Sequence, residues 1–410
     1  MKSILRPVKL AVFFEHELSS GGNYQQALNN IMDIKGISDE IVRIIIVTTI
    51  EENVTLLASY GIESVFLPLT KLTYLRLRIR NLVLTMPGPK ISRLFGKSNY
   101  LERFFKQNGV DLVYFTSQSS LAKYLDFTNY IFTLFDLCHR DYPEFPEVRA
   151  SGTFEKRELF FQKSLSKAIA VFVESDLGKV NAIRRYGLDE SRVYVEPLAP
   201  SVNSLIKEDD YQANYIDIKS KYKVNHDYIF YPAQFWSHKN HIYLLRGVKE
   251  LEMKYGILLD IIFSGSDQGN MNYVKEFAME IGLLHRTYFV GFVPNDEMPY
   301  LYKQSIALVM PTYFGPTNLP ILEAFKLGVP VLYPNLAGLR EQAGDAALLM
   351  NLEEPSHLAD LLSDLIHDDN LRESLIRKGT LRLAELSVNN SGGTMTTVLK
   401  KFSACRICWR

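Results

Sequence analysis

The feature that most limits the folds open to this sequence is a rhythm of β-rich runs alternating with helical stretches, which stops once and then restarts. "KLAVFFEHE" leads through the glycine turn "SSGGN" into the helix-like "YQQALNNIMDI". "IVRIIIVTT", "DLVYFTS", "YIFTLFD" and "AIAVFVES" continue the pattern, the last running into "DLGKVNAIRRYG". Such alternation predicts parallel sheets covered by helices on both faces. Between Leu198 and Tyr222 the rhythm breaks into a polar stretch without periodicity, and from "DYIFYPAQF" onward it returns. With 410 residues, more than one hydrophobic core normally organises, the break predicts two doubly wound α/β domains. They span 1–200 and 201–380, with a tail over 381–410 expected to pack back on the first domain. Ligands in such folds bind outside the carboxyl ends of the strands, here in a cleft between the two units.

Charge and cysteine content remove several alternatives. Lysines and arginines number 46, as do aspartates and glutamates, so no net charge favours nucleic acid. The three cysteines are Cys138 and a lone C-x-x-C pair, Cys405 and Cys408, in a basic tail. Without a second pair they make no zinc site, and a frayed terminus is the expectation there. So few cysteines suit a reducing, cytoplasmic setting. No run approaches the length of a membrane span, and the apolar start of the chain ends at Glu15, too early for a signal peptide.

Two loops of the second domain carry the chemistry. In "YFGPTNLPILEAFKLGVPVLYP" a rigid Gly315–Asn318 loop precedes a short helix with Pro320 near its start and Gly328 at its end. A loop of this kind aims backbone N–H groups and a helix N-terminus at one point, as in phosphate sites. Glu323, early in that helix, either compensates the helix dipole or accepts vicinal ribose hydroxyls. In "FYPAQFWSHKNHIYLL", Lys239 at a strand-to-helix turn is either a surface lysine or a diphosphate clamp. His238 and His241 imitate a metal pair but lack a carboxylate partner, so no metal is expected.

Taken in order, Lys239, "SGS", "VGFVPNDEMPYLY" and "MPTYFGPTNLPILEAFKLGVPVLYPNLAGLREQAGDAALLMN" resemble retaining GT-B glycosyltransferases of the family 4 type. The first domain agrees more loosely through "SSGGNYQQAL", "FDLCHRDYPEFPE" and "VFVESDLGKVNAIRRYG". The resemblance implies two Rossmann-like domains facing a cleft. It also implies metal-independent transfer of a sugar, from GDP-mannose or a UDP-sugar, to a glycan or lipid-linked acceptor in polysaccharide assembly. Position by position, Glu323 matches the ribose-binding glutamate and Lys239 the diphosphate grip. Gly315, Pro316, Thr317, Asn318 and Leu319 match the loop on diphosphate and sugar. Gly21 and Gly22 match the first-domain glycine loop, and Phe292 and Val293 the lining of the base.

Three positions depart from that pattern. Gly315 stands where the family's first glutamate falls, Gln234 where its arginine falls, and Phe135 where its histidine falls, leaving Asp136. Thr317 and Asn318 are expected to replace the glutamate with neutral hydrogen bonds, and His139 or Arg140 the histidine, so Lys239, Asp136 and His139 are the expected catalytic groups. The competing readings are a nucleotide-sugar epimerase on the same fold and an inactive nucleotide-binding scaffold. Residues 71–106 interleave basic and aromatic or apolar side chains with Glu102 as the only acid. That pattern suits the anionic inner face of a membrane, with a solvated helical face as the alternative.

Overall fold

The computed structural model describes residues 6–17, 22–85, 98–200, 206, 208–388 and 391–409. The first domain is a seven-stranded sheet: β1 (Val8–Phe14), β2 (Val42–Thr48), β3 (Ser64–Phe66), β4 (Leu112–Phe115), β5 (Asn129–Leu134), β6 (Ala170–Val173) and β7 (Val193–Val195). Its order is β3-β2-β1-β4-β5-β6-β7, and every pairing is parallel. The second domain has β8 (Tyr228–Pro232), β9 (Asp260–Ser264), β10 (Thr287–Gly291), β11 (Leu308–Val309), β12 (Val331–Pro334) and β13 (Leu348–Met350). Their order is β10-β9-β8-β11-β12-β13, again all parallel. The expected pair of doubly wound domains is therefore present.

The central strands are buried on both faces because helices cover both. In β1 only Lys9 escapes full burial, and β9 is buried throughout. Both sheets reverse direction of winding at one place, between β1 and β4 and between β8 and β11. The loops leaving those strands open at the crevice where such folds bind ligands. In the second domain they are the loops carrying Lys239 and Gly315–Asn318.

β7 is the last strand of the first domain. The helix Glu208–Ala213 already belongs to the second domain, since Tyr211 stacks on Tyr300 at 4.5 Å and its carbonyl accepts from Tyr300 Oη at 3.1 Å. The chain later returns. In the helix Ser391–Arg406, Met395, Val398, Leu399 and Phe402 complete the first-domain core formed by Val8, Leu28, Ile31 and Tyr114. Arg406 Nη1 pairs with Asp111 at 2.5 Å, and its Nη2 donates to the Arg6 carbonyl at 2.6 Å. The expectation of a frayed end around Cys405 thus fails: apolar burial and a largely enclosed ion pair hold this helix down.

Candidate active site

The loop after β8 makes one turn of 3-10 helix, Ser237–Lys239, and passes through Asn240 in left-handed conformation (φ 55°) into the helix His241–Tyr255. The loop after β11 runs into the helix Leu319–Leu327, which Gly328 ends at φ 70°. The two loops are tied together, because Tyr313 N–H donates to the His238 carbonyl at 2.9 Å. No side chain caps either helix N-terminus, so backbone donors with positive dipole ends stand unclaimed by side chains beside Lys239. Lys239 is half-buried and makes no ion pair among the described residues. Burial pushes its pKa down to about 8, against the opposing pull of Cys138 and Asp136.

Gly315 explains one departure from the family pattern. Its φ is +95°, and a Cβ there would sit 2.7 Å from the Thr317 carbonyl oxygen and 3.1 Å from the Asn318 side chain. The backbone of this loop admits no side chain at Gly315, so a glutamate could not be accommodated there in this conformation. The Gly315 N–H donates across the cleft to Cys138 Sγ at 3.2 Å, and burial pushes that thiol's pKa well up. Pro316 lies against Gly338, where a Cβ would come within 2.9 Å of the proline.

The neighbouring residues divide by direction. Thr317 Oγ1 is hydrogen-bonded to Glu174 of the first domain. Burial raises the Glu174 carboxyl to about 8, so it is mostly protonated at neutral pH, although the Thr317 bond works the other way. Asn318 is turned inward: its Nδ2 donates to Tyr333 Oη at 2.7 Å, and its backbone N–H to Gln342 Oε1 at 2.8 Å. Leu319 opens the helix and is half-buried. Glu323 accepts from Tyr302 Oη at 2.8 Å through one carboxylate oxygen, and burial raises its pKa. Gln234 is exposed and accepts from Trp236 Nε1 at 3.1 Å. Phe292 is 66% exposed whereas Val293 is buried, so of the two only Phe292 offers a free ring face.

In the first domain, Asp136 follows β5 and lines the cleft. Its Oδ1 accepts from Arg157 Nη2 at 2.7 Å and from the Cys138 N–H at 3.0 Å. His139 does not reach the cleft. It is fully buried, bonded through Nε2 to Glu158 at 2.6 Å and packed on Phe154 and Phe161. Burial also lowers its pKa. Its place as a cleft residue is corrected: the short helix Cys138–Asp141 turns it inward. Arg140 likewise pairs with Glu158. Gly22 begins the helix Gly22–Lys35, and Gly21 lies outside the described residues.

Several cleft residues were not singled out from the sequence. Glu147 accepts from the His238 backbone N–H at 3.0 Å and sits 2.5 Å from its Nδ1. Phe314 lies between His238, stacked at 4.1 Å, and Tyr142, stacked at 5.9 Å. Phe145 closes on Phe314 edge-on at 5.2 Å. Glu341 of the second domain reaches the N-terminus of the first-domain helix Asp176–Tyr186, accepting from the N–H groups of Asp176 (2.7 Å) and Leu177 (3.2 Å). The segment "YPEFPE" alternates aromatic and acidic residues, which was the one available signal. His241, by contrast, stacks on Phe235 at 4.4 Å inside the core. No cluster of metal-ligating side chains occurs among the described residues.

Two Rossmann-like domains, with an unfilled cation and uncapped helix ends in the cleft between them, define a fold of the GT-B glycosyltransferase type. Residues 214–382 match the model of the glycosyl transferases group 1 family. It is 26% identical over 250 residues to O-antigen chain mannosyltransferase B of Escherichia coli, a match covering 60% of this chain and 64% of that protein. A second relative, the serotype-specific mannosyltransferase WbdA of Escherichia coli, is 24% identical over 268 residues, 62% of this chain and 32% of the relative. The matched region is thus less than two thirds of either relative. Among solved structures, a glycosyltransferase from Rickettsia africae superposes with TM-score 0.67 at 14% identity, covering 97% of this chain and 98% of the other. Anabaena Alr3699/HepE in complex with UDP-glucose gives 0.66 at 16%, covering 97% and 99%. These structures speak for the fold.

Proposed function

We propose that this enzyme moves a sugar, with retention, from a nucleotide-diphosphate sugar to a glycan or lipid-linked glycan acceptor in polysaccharide assembly. The observation that carries the reading is the half-buried, unpaired Lys239 beside two uncapped helix N-termini at the switch point of the second sheet. A diphosphate placed there meets one unpaired cation and fixed backbone dipoles. As the glycosyl–phosphate bond breaks, negative charge grows on the leaving oxygen, and donors already aimed at it lower the barrier. Lys239 and the helix ends supply the positive charge in this scheme. Glu323 has one oxygen on Tyr302 and the other to offer a ribose hydroxyl, and the exposed ring of Phe292 suits a nucleobase. Asp136, held by Arg157, faces the side where the sugar would lie. The mannosyltransferase relatives favour GDP-mannose, and the UDP-glucose complex keeps UDP-sugars as the second choice.

Thermal shift with GDP, UDP, ADP and dTDP, each with EDTA and with Mg²⁺, tests the site. One responder that is indifferent to metal and lost in Glu323→Ala supports the reading. Stabilisation at a hundred times the dissociation constant is about 2.7 kcal/mol, so silence from all four would sink it. Release of free nucleotide on transfer separates a transferase from an epimerase.

A specific face suggests where the acceptor is met. In the helix Lys71–Thr85, Leu72, Leu75 and Ile79 are exposed at helical spacing. Lys71, Arg76 and Arg78 are exposed on either side of them. Not all of the basic stretch belongs to this face: Arg80 is buried on Asp126, and Glu102 accepts from the N–H groups of Asp126 and Phe127. Residues 86–97 lie outside the described residues. No helix among the described residues is long and apolar enough to span a membrane, and the exposed face fits a peripheral helix on an anionic, inner-leaflet surface. Co-sedimentation with phosphatidylglycerol vesicles at low salt, lost in Leu75→Glu/Ile79→Glu, is the expected result. Equal binding by the double variant would place the contact elsewhere.

A further inference from the structure

A cavity of about 370 Å³ lies beside the donor cradle without coinciding with it. It starts at Asp136, Cys138 and Gly315, and runs toward the first-domain helix Asp176–Tyr186. Both domains build it: Tyr142, Leu177 and Asn181 on one side, Pro316, Leu336 and Ala337 on the other. Asn181 is 92% buried, its Oδ1 accepting from Arg184 Nη2 at 3.2 Å. Its Nδ2 has no partner among the described residues. Arg184, exposed at the rim, makes no ion pair among the described residues, whereas Arg185 is committed to Asp141 and to the Leu137 carbonyl.

The lining discriminates between ligand classes. A phosphate needs donors only, yet Asp136 and Asp141 line this cavity; each is paired through Oδ1, with Arg157 and Arg185, and its Oδ2 calls for a hydroxyl donor that a phosphate does not supply. A purely apolar ligand would leave Asn181 and Arg184 unsatisfied. A sugar ring matches both needs: hydroxyls that donate and accept meet Asp141, Asn181 and Arg184, and its C–H faces meet Leu177, Pro316 and Tyr142. We propose that this cavity is the subsite for one uncharged hexose unit of the acceptor, selected through Asn181 and Arg184. The proposal rests on the transferase reading above and adds the position and chemical class of the acceptor unit. Because Gly315 and Pro316 belong both to its wall and to the donor loop, a hexose seated here has its hydroxyls next to the donor sugar.

The test compares the full chain with Asn181→Ala and Ala337→Trp. The second variant places a large side chain at an exposed position on the cavity wall, so it fills space without disturbing the core. Transfer is followed with the nucleotide sugar identified by thermal shift and with methyl hexopyranosides and mannobiose as acceptors. Loss of one hydrogen bond to a neutral ligand predicts an acceptor KM raised about tenfold in Asn181→Ala, and more in Ala337→Trp. The donor KM and the nucleotide-induced thermal shift should stay within twofold of wild type. Acceptor KM values unchanged in both variants overturn the subsite while leaving the transferase reading intact. Competition by inorganic phosphate, dependent on Arg184, overturns the sugar class. If wild type transfers to none of these glycosides, saturation-transfer NMR decides. Contacts to a methyl hexoside that vanish in Ala337→Trp uphold the site, and no contacts in wild type refute it.

Discussion

Replacing Lys239 by methionine should make the empty protein more stable and its nucleotide site useless. Methionine keeps the length and apolar stem of lysine and removes the charge. Burial lowers the lysine pKa from 10.5 to about 8, and at about 1.4 kcal/mol per pKa unit the folded state bears about 3 kcal/mol for holding the cation. Water reaches part of this half-buried chain, which leaves about 1–2 kcal/mol of net relief. For domains of this size that is an increase of about 2–8 °C in Tm at pH 7. The sign also shows in the pH dependence. Between about pH 8 and 10.5 the unfolded lysine holds a proton that the folded one has released, so wild-type stability rises with pH across that window. The methionine variant lacks this rise. Differential scanning fluorimetry across pH 7–10.5, with and without the responding nucleotide, reads every part of this. A variant that melts at or below wild type without ligand, or still gains stability from nucleotide, would show that Lys239 is structural.

Glu323→Gln should keep the Tyr302 hydrogen bond yet weaken nucleotide binding about tenfold or more, measured by titration calorimetry, with no loss of stability in the empty protein. Tyr302→Phe does the reverse, stranding a buried carboxylate and costing about 1–3 kcal/mol of stability. Glu174, raised to about 8 by burial, binds its proton more tightly folded than unfolded. Its contribution therefore fades as pH rises from about 4.5 to 8, and Glu174→Gln should remove that slope in pH-dependent melting. Asp111→Asn weakens the hold of Arg6 and Arg406 and should speed hydrogen exchange in the helix Ser391–Arg406 while leaving nucleotide binding unchanged.

The parts of this architecture legible in the sequence are those fixed locally. Period-two and period-3.6 patterns gave the strands and helices, Gly328 the end of one helix, and the break after Leu198 the change of domain. Gly315 was legible as a departure but not as a cause, because its positive φ and the closeness of the Thr317 carbonyl and Asn318 to any Cβ there exist only in the folded loop. Asn318 and His139 were read toward the cleft because they flank it in sequence. Burial decided otherwise, since Tyr333 and Glu158 wait in the interior for each of them. The acidic residues that join the domains were invisible for another reason. Glu147 meets His238 across 91 positions and Thr317 meets Glu174 across 143, and no periodicity encodes such pairs.

Those joining acids also bear on where an anion entering the cleft would be held. Helices of both domains begin at the cleft with dipoles that favour an anion. The one at Asp176 already has its anion, because Glu341 crosses from the second domain and accepts from the N–H groups of Asp176 and Leu177. The helices beginning at His241 and Leu319 have no side-chain cap, and Lys239 lies in the turn just before the first of them. In the closed arrangement, then, the first domain's helix end is satisfied by protein and the second domain's ends are left for a ligand. Opening the cleft would withdraw Glu341 and expose the Asp176 end to water. While Glu341 holds the Asp176 end, an anion entering the cleft finds uncapped helix ends and Lys239 in the second domain.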